Sequence, residues 1–251
     1  MSVMNAKPDG YTLGALTTST AFIAPFSGEA PFKDLSGFAI INNFGKFLYP
    51  IMVRGDAPWK TWREFIEWSR KNPRAAKLGL SGARAVHSVG SGMWQVEQRE
   101  QVEFTYVPFK GGPEILSATL GGHITLSGST PDASFISYLQ EGKLRVLVYL
   151  GREKIRGYED APSTQELYGF SVANICGMMG PKGLPDYVLK RLDDAFVKAA
   201  KDPSFIDVMN RMLMPIVYMD RAEVNKYVDE TVPITAKLVQ ALKAEDEKGK
   251  K

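Results

Sequence analysis

The chain has 251 residues, 44% of them hydrophobic and 24% charged, values near those of ordinary globular domains, which excludes disordered, collagenous and coiled-coil readings. Its 31 basic and 28 acidic residues leave a net charge of +3 that is spread along the chain. That spread argues against a nucleic acid or an anionic membrane as partner and leaves an anionic small ligand open. One cysteine, Cys176, excludes an internal disulfide and a multi-cysteine zinc site, and His87 and His123 add too few soft ligands for a metal centre; no cofactor is expected. The longest apolar run, residues 47–53, is far short of the ~20 residues that cross a bilayer, and no basic-then-apolar export signal follows Met1.

In chain order, short runs rich in branched and aromatic residues predict strands at 11–16, 38–41, 47–53, 77–80, 102–107, 123–126, 144–150 and 172–179. Helical patterns lie between them. Thr61 followed by Glu64 is a capping box, Trp62, Phe65 and Ile66 then share a face, and Asn72-Pro73 ends the element. Pro185 suits a first helical turn, with Val188, Leu192 and Phe196 as its apolar stripe up to Asp202-Pro203. Phe205, Val208, Met209 and Met212 form the next stripe. Asp220 with Glu223 repeats the capping pattern, and Val224, Tyr227, Val228 and Leu238 carry a terminal helix bent at Pro233, whose last eight residues read as a solvated, fraying end. Alternating strands and helices predict an α/β fold with largely parallel sheets.

Catalytic and phosphate motifs are incomplete. Ser81 lies in Gly79-Leu80-Ser81-Gly82-Ala83, where Ala83 replaces the second glycine of a nucleophile elbow. Gly45-Lys46 runs into Phe47 and is no phosphate loop, and Gly90-Ser91-Gly92 opens no complete dinucleotide fingerprint. What the sequence offers instead is a set of small polar turns after predicted strands: Thr17-Thr18-Ser19-Thr20, Ser81-Gly82-Ala83-Arg84, Phe109-Lys110-Gly111-Gly112 and Ser127 through Asp132. At the carboxyl ends of strands in an α/β sheet such turns present amides and hydroxyls to a crevice, and helix amino termini there favour anions. Taken singly, each is equally well a helix cap, a tight turn or a solvated charge; His87 alone reads as a capping or buried hydrogen-bonding group, and Asp132 after Pro131 as a helix start.

Six motifs carry a family resemblance. They are Ala6-Lys7-Pro8-Asp9-Gly10-Tyr11-Thr12-Leu13, Pro31-Phe32-Lys33-Asp34-Leu35, Tyr106-Val107-Pro108-Phe109-Lys110-Gly111-Gly112, Leu120-Gly121-Gly122-His123-Ile124, Gly142-Lys143-Leu144-Arg145-Val146-Leu147, and Gly177 through Pro185. In this order the chain resembles the substrate-binding proteins of tripartite tricarboxylate transporters, the Bug type, from about residue 4 to 240. The resemblance implies a two-lobed, type II periplasmic-binding-protein-like fold. Its first lobe would combine 1–47 with 168–251 and its second span 48–167, with hinge segments near 43–47 and 169–177. It also implies capture of a small organic carboxylate in the interlobe cleft, a di- or tricarboxylate, an acidic amino acid or an aromatic acid. Handover to membrane permease subunits, a periplasmic location and no enzymatic chemistry follow from the same likeness.

By position, the resemblance assigns ligand contacts to Thr17, Thr18 and Ser19, to Ser81, Gly82 and Ala83 with His87, to Phe109, Lys110 and Gly111, and to Ser129 with Asp132. Two departures touch the site. Phe109 stands where the family has Tyr, and Arg84 where it has a small residue; pointing inward, Arg84 would be a bidentate carboxylate partner, and pointing outward a surface charge. A third concerns extent: family members begin with an export signal and a further strand-helix-strand-helix part. The first lobe is therefore expected to lack that N-terminal part, as a fragment, a mis-started frame or a chain that borrows it from a partner. Self-association through that lobe, or weak binding, is then expected. The alternatives are a Ser/His-dependent hydrolase built on Ser81, His87 or Asp132 and a truncated, binding-defective remnant.

Overall fold

The structure is a computed structural model that describes residues 2–27, 30–82 and 88–248. It divides into two compact units, Met1–Phe47 with Ala173–Lys251, and Leu48–Val172. The return to the first unit falls after Val172 rather than after residue 167. Trp62 Nε1 donates to the Tyr168 hydroxyl at 2.7 Å and the Arg99 guanidinium lies 4.6 Å over the Phe170 ring, which fastens residues 168–170 to the second unit.

In the first unit, β1 (Gly14–Thr17), β8 (Cys176–Pro181), β2 (Phe38–Gly45) and β9 (Ile216–Met219) form one sheet in that order. All its pairings are antiparallel, which corrects the expectation of largely parallel sheets. The returning chain inserts β8 between β1 and β2 and runs opposite to both. That pairing joins residues more than a hundred positions apart, which local alternation of strand and helix patterns does not encode. The strand expected at 11–16 begins only at Gly14, leaving Tyr11 93% exposed, and β9 was not expected at all. Ladder irregularities interrupt β2 against β8 between Ile40 and Asn42 and between Asn43 and Gly45. Here the Asn43 side chain replaces ladder bonds, accepting from Cys176 N–H at 2.8 Å and donating to Val217 C=O at 2.5 Å. Gly177 lies so close that a Cβ there would stand 1.9 Å from the Asn42 carbonyl oxygen, so no side chain fits.

Helices cover both faces of this sheet. Ala39 and Ile41 meet α7 (Asp186–Ala199) through Leu189, Leu192 and Phe196. Phe38 and Ile40 line a groove of about 350 Å³ with Val228 and Val232 of α9 (Arg221–Lys248). Pro185 is the residue preceding α7, one position before its expected place. The cap at Asp220 and Glu223 is reciprocal, at 2.9 and 3.0 Å. In α9 the buried register runs through Val224, Val228, Val239 and Leu242, with Leu238 only half-buried, and the helix reaches Lys248 where a frayed end was expected. In α8 (Pro203–Arg211) only Met209 is buried; Val208 and the following Met212 are exposed, because the core that receives this helix is a narrow one of Cys176, Met214 and neighbouring aromatics. The Cys176 thiol sits in it, its pKa pushed up to about 11 by burial.

The second unit holds a five-stranded sheet in the order β5 (Thr105–Phe109), β4 (Lys77–Ser81), β6 (Leu126–Gly128), β3 (Pro50–Arg54), β7 (Leu144–Tyr149). The first three are parallel; β3 runs antiparallel to β6 and β7. Strands β5 and β6 begin later than expected; before β6, residues 121–125 are consumed by a turn in which His123 N–H returns to Ala118 C=O at 2.9 Å. Helix α2 (Trp62–Lys71) starts at the Thr61 cap, whose hydroxyl accepts from Glu64 N–H at 3.3 Å, while the Glu64 carboxylate takes Lys60 N–H instead of Thr61 N–H. Its face buries Trp62, Phe65 and Ile66; Phe65 stacks on Phe104 at 5.9 Å and meets Trp59 edge-on at 5.3 Å, a cluster whose loss by Phe65→Ala would cost about 3–5 kcal/mol. Among the described residues no helix is long and apolar enough to cross a membrane.

The short helix α6 (Thr164–Tyr168) is fixed by a full capping box: Ser163 Oγ accepts from Glu166 N–H at 3.2 Å, and the Glu166 carboxylate accepts from Ser163 N–H at 2.7 Å and from Lys154 Nζ at 3.1 Å. The Ser163 amide, then Lys154, holds the Glu166 carboxyl below its ordinary value of 4.5. A depressed folded-state pKa contributes stability that is present above the ordinary value and lost as pH falls through the lowered one. Glu166→Gln is therefore expected to flatten the acid limb of stability below about pH 4.5, read as melting temperature from pH 7 down to 3.

Candidate functional site

The parallel trio β5-β4-β6 decides where polar turns gather in the second unit. Ser81 pairs with Phe109 and Leu80 with Gly128, so all three carboxyl ends lie on one edge. From that edge the chain enters α3 (Ser88–Glu100), α4 (Gly112–Leu120) and α5 (Ala133–Gln140), each starting a few residues after its strand. Gly82 N–H donates to Phe109 C=O at 3.1 Å and ties the first two turns together. The turns after β5 and β6 also meet: a Cβ on Gly112 would lie 2.9 Å from Ser129 Oγ. Ser81, Gly82, Phe109, Lys110, Gly111, Ser129 and Asp132 are thus brought to one edge of one sheet. Ala83, Arg84 and His87 lie outside the described residues.

The three helix starts differ in what their first-turn amides meet. At α5 the Asp132 carboxylate is the cap; its Oδ1 takes Ser134 N–H at 2.8 Å and Ser134 O–H at 2.5 Å. Asp132 thereby occupies with its own charge the place an anion would take, so it serves the fold. At α4 the cap is Gly111, which supplies no side-chain bond, and Pro113 opens the helix without an N–H; Glu114 reaches back to Lys110 N–H at 3.1 Å. At α3 the first turn is buried, with Ser88 4%, Val89 0% and Ser91 7% exposed, and Ser91 Oγ donates to Ser88 C=O. Ser129, 4% exposed, stands beside the α4 start and donates to Thr130 C=O at 3.2 Å.

Phe109 and Lys110 part company. The Phe109 ring packs with Val107 against Ile115, Ala118 and Ile124, beneath α4, and Lys110 is exposed. The ring therefore belongs to a small core cluster, and its missing hydroxyl changes that packing before it changes any ligand wall.

The first unit has its own polar turn, after β1. Thr17 and Thr20 clasp each other, hydroxyl to hydroxyl at 3.1 Å, with Thr17 N–H on Thr20 Oγ1 at 2.8 Å. Thr18 is 2% exposed and bonded to Ile175, accepting its N–H at 3.0 Å and donating its own N–H to the Ile175 carbonyl at 3.2 Å. Of the three residues assigned here, Ser19 is the exposed one. Among the described residues no group of three or more His, Cys, Asp or Glu is placed to hold a metal ion.

Residues 1–244 match the sequence profile of the TctC family, described as "Tripartite tricarboxylate transporter family receptor". The chain belongs to that family. It is 27% identical over 241 residues to a Cupriavidus necator protein named "UPF0065 protein in gbd 5'region", covering 96% of this chain and 72% of that one. A second UPF0065 relative, from Pseudomonas sp. (strain P51), is 23% identical over 215 residues, and the chain spans only 62% of its length. Among solved structures, a TctC solute-binding protein from Polaromonas superposes with a TM-score of 0.79 at 25% identity, over 95% of this chain and 81% of that one. Two more distant TctC-fold neighbours from Rhodopseudomonas palustris, MatC with bound malate (TM-score 0.74, 20% identity, 94% of this chain and 82% of that one) and Rpa4515 with adipate (0.78, 17%, 95% and 81%), share the fold. This TctC chain therefore has the mixed α/β, periplasmic-binding-protein architecture of a family of solute-binding receptors, not of enzymes.

The contact of the two turns sets a test. Gly112→Val would drive a side chain into Ser129 and is expected to cost about 1–3 kcal/mol through overpacking. Gly111→Ala, at an extended φ of 178° with its nearest neighbour 3.9 Å away, is expected to melt like the parent chain. Paired thermal unfolding of the two variants checks this.

Proposed function

We propose that this TctC chain is an extracytoplasmic receptor that captures a small organic dicarboxylate and delivers it, in the periplasm, to the membrane permease subunits of a tripartite tricarboxylate-type transporter. The observation that carries the proposal is the α4 start, which has no side-chain cap, beside the buried Ser129 at the carboxyl edge of β5-β4-β6. Amides aimed at a carboxylate make charge-assisted bonds roughly twice as strong as neutral ones. No nucleophile, base and orienting group come together among the described residues of this edge, and binding without chemistry is what such a donor array does.

Malate and adipate, found in two neighbours of the same fold, are both dicarboxylates and define the first ligands to try. In this reading one carboxylate meets Ser81, Gly82, Ser129 and the α4 amides of the second unit. The exposed Lys110 adds long-range attraction and little contact energy.

A thermal-shift panel of malate, adipate, succinate and citrate tests the proposal. A true ligand at 100 times its Kd is expected to stabilise the chain by ~2.7 kcal/mol. Ser129→Ala should weaken that ligand by roughly 10- to 100-fold, as expected for one hydrogen bond to a charged group. Silence across the panel, or ester turnover that Ser81→Ala abolishes, would overturn it.

A further inference from the structure

The chain passes between its two units twice, at Phe47 to Leu48 and at Val172 to Ala173. On the first-unit side these passages are fastened to each other by one side chain. The Asn174 amide accepts from Phe47 N–H through Oδ1 at 2.9 Å and donates through Nδ2 to the Phe47 carbonyl, so it pairs with Phe47 as a neighbouring strand's backbone would. Asn174 is 4% exposed, and its own N–H donates to the Tyr227 hydroxyl of α9 at 3.1 Å. Tyr227 in turn meets Phe22 edge-on, 5.9 Å between ring centres. The next residue, Ile175, is the one bonded to Thr18 in the turn after β1.

On the second-unit side the same two passages are tied to the end of β7. Leu150 N–H donates to Tyr49 C=O at 3.0 Å, and Val172 N–H donates to Leu150 C=O at 2.9 Å. Between the two sets of bonds, Leu48 and Ala173 are left, one residue in each passage. Among the described residues neither takes part in a hydrogen bond. Hinges are a few residues that absorb the change in φ and ψ while the packing on either side stays intact.

We infer that Leu48 and Ala173 are the pivots of the chain, and that Asn174 is the positioning residue that makes both passages turn together. The inference deepens the receptor reading and rests on it only for the use made of the motion. With the staple in place, two independent torsional freedoms become one, and the turn after β1 is connected through Thr18 and Ile175 to the same staple. Loss of the staple therefore widens the set of arrangements open to the ligand-free protein, and a ligand must then restrain more of them on binding.

Double electron–electron resonance tests this in the full chain. Nitroxides are placed at Ser117→Cys in the second unit and Lys198→Cys in the first, both exposed. The native Cys176 is buried and its thiol pKa of about 11 keeps it unreactive near neutral pH. In ligand-free protein, Asn174→Ala is expected to broaden the distance distribution, and Asn174→Asp, which keeps the acceptor but not the donor, to broaden it less. Ala173→Pro removes an N–H that makes no bond and is expected to narrow the distribution and suppress the change caused by adipate; Ala173→Gly should broaden it. Adipate Kd should rise about 5-fold in Asn174→Ala, as for the loss of one hydrogen bond's worth of restraint. A folded Asn174→Ala protein with the parent distribution, or Ala173→Pro or Ala173→Gly without effect on it, overturns the inference. If the unmutated chain binds no dicarboxylate, the receptor reading fails alone, since the ligand-free widths still judge the pivots.

Discussion

The insertion of β8 between β1 and β2 is the constraint on which the first unit rests. Residues 176–181 arrive after the whole of the second unit has been traversed, and they supply the ladder that both older strands need. The fit is tight enough that position 177 admits no side chain, and irregular enough that Asn43 must stand in for missing ladder bonds toward both Cys176 and Val217. A buried amide that satisfies two backbone groups at once is costly to remove, because both lose their partner. Asn174 repeats the device a few residues away. The first unit is thus held by side-chain amides acting as pieces of backbone.

The second unit solves a different problem. Its parallel trio requires helical crossovers, and crossovers bring helix amino ends to one edge of the sheet. Each start then needs something for its first amides. Asp132 settles the matter internally at α5, while Gly111 at α4 offers nothing from its side chain. Two consecutive helices on the same edge thus differ, one with a charged cap and one with a glycine cap that leaves its first turn without a side-chain partner. The nearness of Gly112 to Ser129 brings the turns after β5 and β6 together.

Much of this was legible in the sequence. The caps at Thr61 and Asp220 are local chemistry and were found where hydroxyl or carboxylate precedes an apolar stripe, whereas Asp202, read only as the end of one helix, is the cap of the next. The small polar turns were legible for the same reason, since glycine and serine after a branched run mark a strand end. Whatever depends on partners far along the chain was not: the antiparallel first sheet, β9, and the burial of Thr18 against Ile175. Thr18 reads as an exposed hydroxyl in a Thr-Thr-Ser-Thr run, and only the returning chain makes it a structural bond. Phe109 is similar, because nothing local says that its ring lies under α4. Amphipathic stripes also overstate burial where the receiving core is narrow, as Val208 and Met212 show.

The separation of Asn43 from Cys176 by 133 positions has a consequence for how the chain matures. A contiguous stretch, 48–172, can condense as soon as it is made, whereas the earlier residues must wait unpaired until the last third is available. Their strands, β1 and β2, remain open-edged during that interval and are natural clients for holding factors. Closing so long a loop costs entropy before the contacts of the first sheet repay it, and that cost falls once the inserted stretch has folded and shortened the effective loop.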